Sequence, residues 1–426
     1  MTYSLKNIPL PTQEQYKMEL LNKIEIFIKR LRWKAFYFDG NADGDLSKEN
    51  YGLKTPNSPP PIKDLMDFES DLFNLVNRIN FRAVRCDFQN RIKKDISEIK
   101  KSKEVLVSAD KTANIYKVQP HEYRRLLNNS VTKLYKKSDE NIVKVVSKEG
   151  KTIAEKFEVA ERMNINGSNE CFITFKDHKD NFLNNPSTRL INPSKNEIGR
   201  ISKRVLEIVN SKLRLSTGVK QWQNTKQVID WFNGLEHKSS GKFMIFDVKD
   251  FYPSITESLM ELSLRFASEF INIEDRELQA IRHARKWLLF KDGEPWRKRE
   301  NENFDVTMGA YDGAELCELV GIYLLNVLSK EFNKDCIGLY RDDGLAYFKN
   351  VTGRQGDLIR KKFHEIFKRY GLHQEIQCNL KIVNYLDVTF NLCDGSYKPY
   401  RKQDHETLYI NSKSNTLLVS LNNCQN

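Results

Sequence analysis

Two apolar segments of this sequence end in acidic residues that could bind metal ions. Asp247 lies near the end of the run KFMIFDV (residues 242–248), and Asp342 and Asp343 stand at a turn between two short apolar arms. If the segments pair in one sheet, three carboxylates meet, and their mutual repulsion raises their pKa values unless cations are present. Mg²⁺ prefers such oxygen ligands, Mn²⁺ is possible, and two such ions support in-line displacement at phosphorus. The pattern predicts polymerase or nuclease chemistry, although Asp-Gly between apolar arms is also an ordinary hairpin signal.

The elements that would position these acids can be predicted from the hydrophobic spacing. The run 242–248 is bounded by Gly241 and a charged turn, is too short for a helix, and is rich in strand formers, which predicts a buried strand. Helical spacing predicts helices over 12–36, 65–103, 122–136 and 198–213, and short apolar runs predict strands over 105–107, 115–118, 171–175 and 189–191. Four prolines predict a linker near 51–62.

Composition excludes several classes of protein. The chain has 426 residues, of which 39% are hydrophobic, so global disorder is excluded. The sequence has no apolar run long enough for a bilayer and no secretory signal, which predicts an intracellular protein, nuclear or cytoplasmic, with no membrane partner. Seven scattered cysteines without a C-x-x-C motif argue against disulfide frameworks and zinc fingers.

The net charge of +12 favours a polyanionic partner such as nucleic acid. Basic clusters at residues 91–103, 282–286 and 297–299 are predicted to follow a phosphate backbone, although the first could be a solvated helix face. Residues 39–46 resemble the first half of a calcium-binding loop, but the twelfth position is Asn50 in place of a bidentate carboxylate, which favours an acidic linker.

The ordered motifs resemble the palm and fingers of a reverse transcriptase. They are a D-x-x-x-F-Y block (247–252), a glycine-containing block before a helix (307–313), and Tyr-x-Asp-Asp (340–343). The resemblance implies that Asp247, Asp342 and Asp343 are the catalytic, metal-binding residues, and that Gly309 lies in a substrate-binding block. It places Tyr252 beneath the sugar, where the ring would exclude a 2′-hydroxyl, although Tyr252 could instead be a core aromatic.

In the fingers, residues 175–179 and 188–191 resemble the segments that hold the incoming triphosphate. This resemblance makes Lys176 and Arg189 substrate-binding candidates. Arg189 is the stronger candidate because a planar guanidinium binds phosphate oxygens through two hydrogen bonds. His178 is predicted to be structural.

Within this class the sequence resembles Penelope-like retroelement reverse transcriptases, over about residues 105–415. Asp110-Lys111 followed by Tyr123 and Tyr135 resembles an N-terminal signature of that group, and residues 385–389 resemble its block after the active site. The resemblance implies an α+β fold: right-hand polymerase fingers (105–240) and a palm with an antiparallel sheet (241–395). A helical N-terminal extension (1–104) would precede them, and the start of a truncated thumb connection (396–426) would follow.

The function implied is RNA-directed DNA synthesis from dNTPs on an RNA/DNA template-primer. An RNA-templated RNA polymerase is an alternative, and so is a decayed or domesticated palm that only binds nucleic acid. The second alternative has support from the helix block, where Gly313 and Ala314 replace the Ser-Pro of the family. In the same block Asp312 and Glu315 are predicted to place two further acidic side chains beside the template path.

Overall fold

The computed structural model describes residues 2–4, 13–38, 51, 53, 61–80, 87–112, 114–160, 163, 167–177, 181–182, 184–301, 303–307, 309–401 and 408–410. The helices are α1 (Gln13–Phe38), α2 (Met66–Arg78), α3 (Asp87–Lys101), α4 (Pro120–Leu134), α5 (Asn141–Lys156), α6 (Ile198–Thr217), α7 (Thr225–Asn233), α8 (Phe251–Ser254), α9 (Glu257–Ser268), α10 (Asp275–His283), α11 (Gly313–Ser329) and α12 (Gly353–Lys368). Within the described residues, no helix is both long enough and apolar enough to cross a membrane.

The strands are short and belong to several small sheets and one larger sheet. They are β1 (Thr2–Ser4), β2 (Val105–Ser108), β3 (Ile115–Val118), β4 (Tyr135–Lys137), β5 (Phe172–Phe175), β6 (Thr188–Ile191), β7 (Lys220–Gln221), β8 (Gly241–Val248), β9 (Leu289–Lys291), β10 (Glu294–Lys298), β11 (Ile337–Tyr340), β12 (Asp343–Lys349), β13 (Gln374–Leu380), β14 (Ile382–Tyr385), β15 (Val388–Asn391), β16 (Tyr397–Pro399) and β17 (Leu408–Ile410).

The larger sheet has the strand order β13-β8-β12-β11-β7. The pairs β13–β8, β8–β12 and β12–β11 are antiparallel, and only the two-residue strand β7 runs parallel to β11. This arrangement confirms the predicted α+β class and the antiparallel palm sheet. The predicted limits of the extension, fingers, palm and thumb connection stay predictions.

Both faces of β8 are covered, which explains its almost uninterrupted apolar sequence. Phe246 and Val248 belong to a large buried cluster that includes residues of α6, α9, α11 and α12. Phe243 faces the opposite way and packs in a second cluster with Trp222 and Phe232. Alternate residues of one strand therefore serve two cores, and an acidic residue is tolerated only near the strand's end.

The sequence predicted two element boundaries incorrectly. The helix predicted over 65–103 is two helices, α2 and α3, and the residues joining them at 81–86 lie outside the described part of the chain. The helix predicted to reach residue 136 ends at Leu134, because Tyr135 begins a strand that pairs with β10 and its buried hydroxyl donates to Asp305 at 2.7 Å. Residues 39–50 and most of the predicted linker at 51–62 also lie outside the described part.

Candidate active site

The two acidic segments meet at one end of the larger sheet. Asp343 begins β12 and is paired in register with Asp247 on β8. The preceding turn is Arg341-Asp342, and Arg341 has a φ of 55°, in the left-handed region. The Val248 amide donates to the Asp342 carbonyl at 3.0 Å, which binds the turn to the end of β8. The structure therefore brings the three predicted aspartates to adjacent strand ends.

The glycine after the acidic pair is required by packing. A Cβ built on Gly344 would lie 2.1 Å from the Phe246 ring on the neighbouring strand, much closer than two carbon atoms can approach. Phe246 is 3% exposed and packs against Phe363 and Phe367 of α12, so it has little room to move away. In the sequence Asp-Asp-Gly, the two acids therefore lie at the turn of the β11–β12 hairpin and the glycine lies directly over a core aromatic ring.

A fourth acid, Glu375, lies beside the aspartates and was not predicted. It is paired in register with Asp247 on the other side of β8, so Glu375, Asp247 and Asp343 form a row across three strands. Glu375 also forms an ion pair with Lys249. Alternation in β13 could have shown that Glu375 is on the exposed face, but nothing in the sequence gives its partner strand.

The acids around Asp247 affect its protonation. The pKa of Asp247 is raised, first by loss of water around its carboxylate and then by the charges of Asp342 and Glu375. Lys111 and Lys249 act in the opposite direction and lower the pKa of Asp247. The end of the sheet is therefore a position where a cation would be stabilised.

The residues at this end of the sheet fit a Mg²⁺ ion whose ligands come partly from the protein and partly from a substrate. In the described part of the chain, no three His, Cys, Asp or Glu side chains are grouped so that they could hold a metal by themselves. Mg²⁺ in enzymes that act on nucleotides commonly takes only one or two carboxylates, and substrate phosphates and water supply the other ligands. Asp247 and Asp342 match that requirement, because they lie at adjacent strand ends and the charge of Asp342 raises the pKa of Asp247.

Tyr252 lies between the acidic turn and α11. It is half-buried in α8, and a Cβ on Gly313 at the start of α11 would lie 3.3 Å from its ring. Burial raises the pKa of Tyr252 strongly, and Asp342 and Glu315 are among the charges that raise it further. Tyr252 also packs against the main core, as the core-aromatic alternative predicts, and its position beneath a sugar stays a prediction.

Gly309 lies against the segment that follows β6, a strand of the predicted fingers. Its φ is 102°, in the region that favours glycine, and a Cβ there would lie 3.1 Å from the Asn192 carbonyl oxygen. Asn192 directly follows β6, which carries Arg189. The preceding residue, Met308, lies outside the described part. Gly309 therefore permits close approach of two backbone segments at this position.

Asp312 was predicted to lie beside the template path, and this prediction is wrong. Its side chain is fully buried, forms an ion pair with the equally buried Arg285, and accepts a hydrogen bond from Ser202. Asp312 thus fixes the loop before α11 to α6 and to the residues after α10. Glu315 remains partly exposed, with Lys203 Nζ at 3.3 Å.

Most cations of two predicted phosphate-binding clusters have partners within the protein. Arg285 is 1% exposed, which contradicts its prediction as a phosphate contact. Arg282 and Lys286 bind Glu261 and Glu149, at 2.7 Å and 2.6 Å respectively. In the cluster at 297–299, Lys298 donates to the Pro253 carbonyl at 3.0 Å. By contrast, the described basic side chains of α3 at 91, 93, 94, 100 and 101 are exposed.

The predicted triphosphate-binding residues lie on the β5–β6 hairpin. Arg189 Nη1 donates to Asp110 Oδ1 at 2.8 Å, so its charge is already opposed by a carboxylate. The Lys176 amide donates to the Ser187 carbonyl at 2.9 Å, where the hairpin continues beyond β5. His178 and Lys179 lie outside the described residues, so the structural role predicted for His178 stays a prediction.

Comparisons with known proteins identify the fold. The sequence matches no family model and no curated protein. Telomerase from Candida albicans, solved with a TWJ fragment of telomeric RNA, has a TM-score of 0.54 at 10% identity over 86% of this chain and 62% of the telomerase chain. Apo telomerase from Candida tropicalis has a TM-score of 0.51 at 10% identity over 90% of this chain and 66% of its own.

This chain therefore spans less than two thirds of the length of these two telomerase chains, 62% and 66% respectively. The RNA-dependent RNA polymerase of a human picobirnavirus has a TM-score of 0.41 at 9% identity over 78% of this chain and 71% of its own, a similarity too low to carry an argument. The chain has a reverse-transcriptase-like polymerase fold, with fingers and a palm built on an antiparallel sheet.

Proposed function

We propose that this chain is an RNA-directed DNA polymerase that adds deoxynucleotides to a primer 3′-hydroxyl. The observation that carries the proposal is the strand register that sets Asp247 beside Asp343, with Asp342 in the adjoining turn, at the end of the sheet of this fold. A retroelement of the Penelope-like type is the proposed source, because the ordered motifs over residues 105–415 resemble that group.

Mg²⁺, or Mn²⁺ in its place, is the proposed cofactor, held by Asp247 and Asp342, with Asp343 beside them. When bound, such ions would favour deprotonation of the attacking hydroxyl and stabilise negative charge on the leaving oxygen. The raised pKa of Asp247 supports this proposal, because a nearby cation relieves the repulsion from Asp342 and Glu375. Tyr252, half-buried beside the turn, supports a preference for deoxynucleotides, since its ring would clash with a 2′-hydroxyl.

The proposed partners are an RNA/DNA template-primer and dNTPs. The exposed cations of α3 are suited to backbone phosphates, because they contact few groups of the protein itself. The internal pairing of Arg282, Arg285 and Lys286 leaves fewer cations for this purpose than the net charge suggests.

Primer extension on an RNA template tests the proposal directly. The parent chain should extend a DNA primer with dNTPs only when Mg²⁺ or Mn²⁺ is present. Asp247→Asn and Asp342→Asn should each lower the rate by about 100-fold or more, because each removes a charged ligand of the metal ion that would stabilise the transition state. Asp230→Asn is the matched control, since Asp230 is an exposed aspartate of α7 whose described ion pair is with Lys226.

The same assay distinguishes the alternatives. Extension with NTPs in preference to dNTPs would identify an RNA polymerase. Binding of template-primer without extension in either metal would identify a palm that only binds nucleic acid. Full activity of Asp342→Asn would show that the metal assignment is wrong.

A further inference from the structure

The helix that carries Tyr252 is a single turn, and its own hydrogen bonds do not fix both of its ends. α8 has only four residues. The amides of Ser254 and Ile255 donate to carbonyls of residues 250–252, so the Pro253 carbonyl receives neither of them. This is the general situation of the last carbonyls of a helix. Because an isolated turn has little stability of its own, contacts from outside determine how firmly Tyr252 is held.

The Pro253 carbonyl receives a hydrogen bond from Lys298, the last residue of β10. Lys298 Nζ donates to this oxygen at 3.0 Å. The Lys298 side chain is only 13% exposed, so its ammonium has exchanged most of its contact with water for contacts within the protein. A charged donor forms a stronger hydrogen bond than a neutral one. Lys298 therefore fixes the backbone of α8 one residue after Tyr252.

The ammonium of Lys298 is itself held in place by the buried carboxylate of Asp305. Lys298 is paired in register with Tyr135 on β4, and the side chains of both residues reach Asp305. Lys298 Nζ lies 3.3 Å from Oδ1, and the Tyr135 hydroxyl donates to Oδ2 at 2.7 Å. The Asp305 amide donates to the Arg285 carbonyl at 2.9 Å, which fixes its backbone. The ammonium cannot turn towards solvent without removing the cation from a buried carboxylate, which is costly.

The ring of Tyr252 has little room on the side of α11. A Cβ built on Gly313 would lie 3.3 Å from this ring and 3.2 Å from the Thr307 carbonyl oxygen. The ring and the start of α11 therefore lie close together. Two contacts thus position Tyr252, since Gly313 limits the space for its ring and Lys298 fixes the backbone at the next residue.

We propose that Lys298 is a positioning residue for nucleotide selection, which holds the single turn of α8 so that the Tyr252 ring stays where it would exclude a 2′-hydroxyl. This inference rests on the proposed polymerase function and deepens it. Steric rejection requires a fixed ring, because a ring that can move by about an ångström makes room for one additional oxygen atom. Lys298 acts through the turn and does not contact the nucleotide. Its loss should therefore affect the choice between nucleotides more than the rate with the correct one.

Incorporation of deoxynucleotides and ribonucleotides by the parent and by Lys298→Met tests this role. Methionine keeps the apolar stem of the side chain and removes the donor. We expect the ratio of kcat/KM for dNTP to kcat/KM for NTP to fall by about threefold to tenfold, because the turn loses a hydrogen bond from a charged group. A smaller amount of folded protein lowers both values equally, so a purely structural defect leaves this ratio unchanged.

Tyr135→Phe is the matched control, because it removes the other hydrogen bond to Asp305 and leaves Lys298 on the Pro253 carbonyl. Its ratio should stay within about twofold of the parent's. If Lys298→Met does not fold because Asp305 keeps a buried, uncompensated charge, Lys298→Met with Asp305→Asn removes both charges and should show the same fall. A ratio within about twofold of the parent's in the Lys298 variants would overturn the proposal, and so would an equal fall in Tyr135→Phe.

Hydrogen exchange provides a readout that needs neither turnover nor metal. Without its donor the turn should open more often, so the amides of Ser254 and Ile255 should exchange at least about tenfold faster in Lys298→Met than in the parent. The same amides in Tyr135→Phe should exchange as in the parent. Equal rates in Lys298→Met and the parent would contradict the positioning role. Failure of the parent to extend any primer would instead overturn the proposed function, and the exchange rates would still show whether Lys298 holds the turn.

Discussion

The buried ion pair between Arg285 and Asp312 gives a quantitative prediction for stability. Both side chains are almost completely inaccessible, at 1% and 0% exposure, so neither charge can be hydrated if the other is removed. Breaking such a pair by removing one partner typically costs about 3–5 kcal/mol. Asp312→Asn keeps the shape of the side chain and removes its charge. We therefore expect its free energy of unfolding to fall by about 3–5 kcal/mol.

The control is the exposed Lys226–Asp230 pair, whose side chains are 86% and 62% accessible. Asp230→Asn should lower the free energy of unfolding by less than about 1 kcal/mol, because water replaces the lost partner. Urea denaturation followed by circular dichroism measures both variants, provided that the slope with urea is unchanged. The comparison isolates burial, since both variants make the same chemical change.

A double variant tests the reason for the cost. Arg285→Met with Asp312→Leu removes both charges, so it should be more stable than Asp312→Asn although it changes two residues. A loss below about 1 kcal/mol for Asp312→Asn would show that Arg285 finds other partners. The single variants Arg285→Met and Asp312→Leu complete the comparison. If the double variant loses as much stability as these two single variants together, packing, and not an unpaired charge, determines the effect.

Two further predictions concern the residues around the acidic turn. Tyr252→Ala should increase ribonucleotide incorporation relative to deoxynucleotide by at least about tenfold, because selectivity here depends on rejecting the 2′-hydroxyl, whereas Tyr252→Phe should retain the parent's preference. Unchanged selectivity in Tyr252→Ala would leave Tyr252 as a core aromatic only. Gly344→Ala should destabilise the protein by about 1–3 kcal/mol, because its Cβ would overlap the Phe246 ring, and Phe246→Leu in the same chain should recover part of the loss. Wild-type stability of Gly344→Ala in thermal melts would contradict this packing argument.

Elements whose sequence reflects burial were predicted well. The strand predicted over 242–248 is Gly241–Val248, because a strand covered on both faces has a continuous apolar run. The helix predicted over 198–213 is Ile198–Thr217, where apolar side chains at helical spacing are buried and Gly218 ends the helix at a φ of 67°. The strand pairing that brings Asp247 beside Asp343 followed from two acidic strand ends and the resemblance to a known palm.

Pairings between distant charged residues could not be predicted. The sequence predicted that Arg285 belongs to an exposed basic cluster. In the structure its partner is Asp312, which precedes α11 and is distant in sequence. Glu375 had no signal that connected it with Asp247, since strand register depends on the whole sheet. Arg189 was predicted to be available to phosphate, and its pairing with Asp110 could be seen only once the hairpins were placed.

Asp312 and Asp342 show why residue type alone does not identify the functional acids. Each lies at the end of an element near Tyr252, but Asp312 is buried against Arg285, so its charge is balanced inside the protein. Asp342 instead lies where its charge raises the pKa of both Asp247 and Tyr252, which means that its negative potential extends into the site. A structural acid is neutralised by the fold, whereas a metal-binding acid must keep its potential until the cation and substrate arrive. By this criterion we propose Asp342 and Asp247 as functional acids, whereas Asp312 holds the loop before α11.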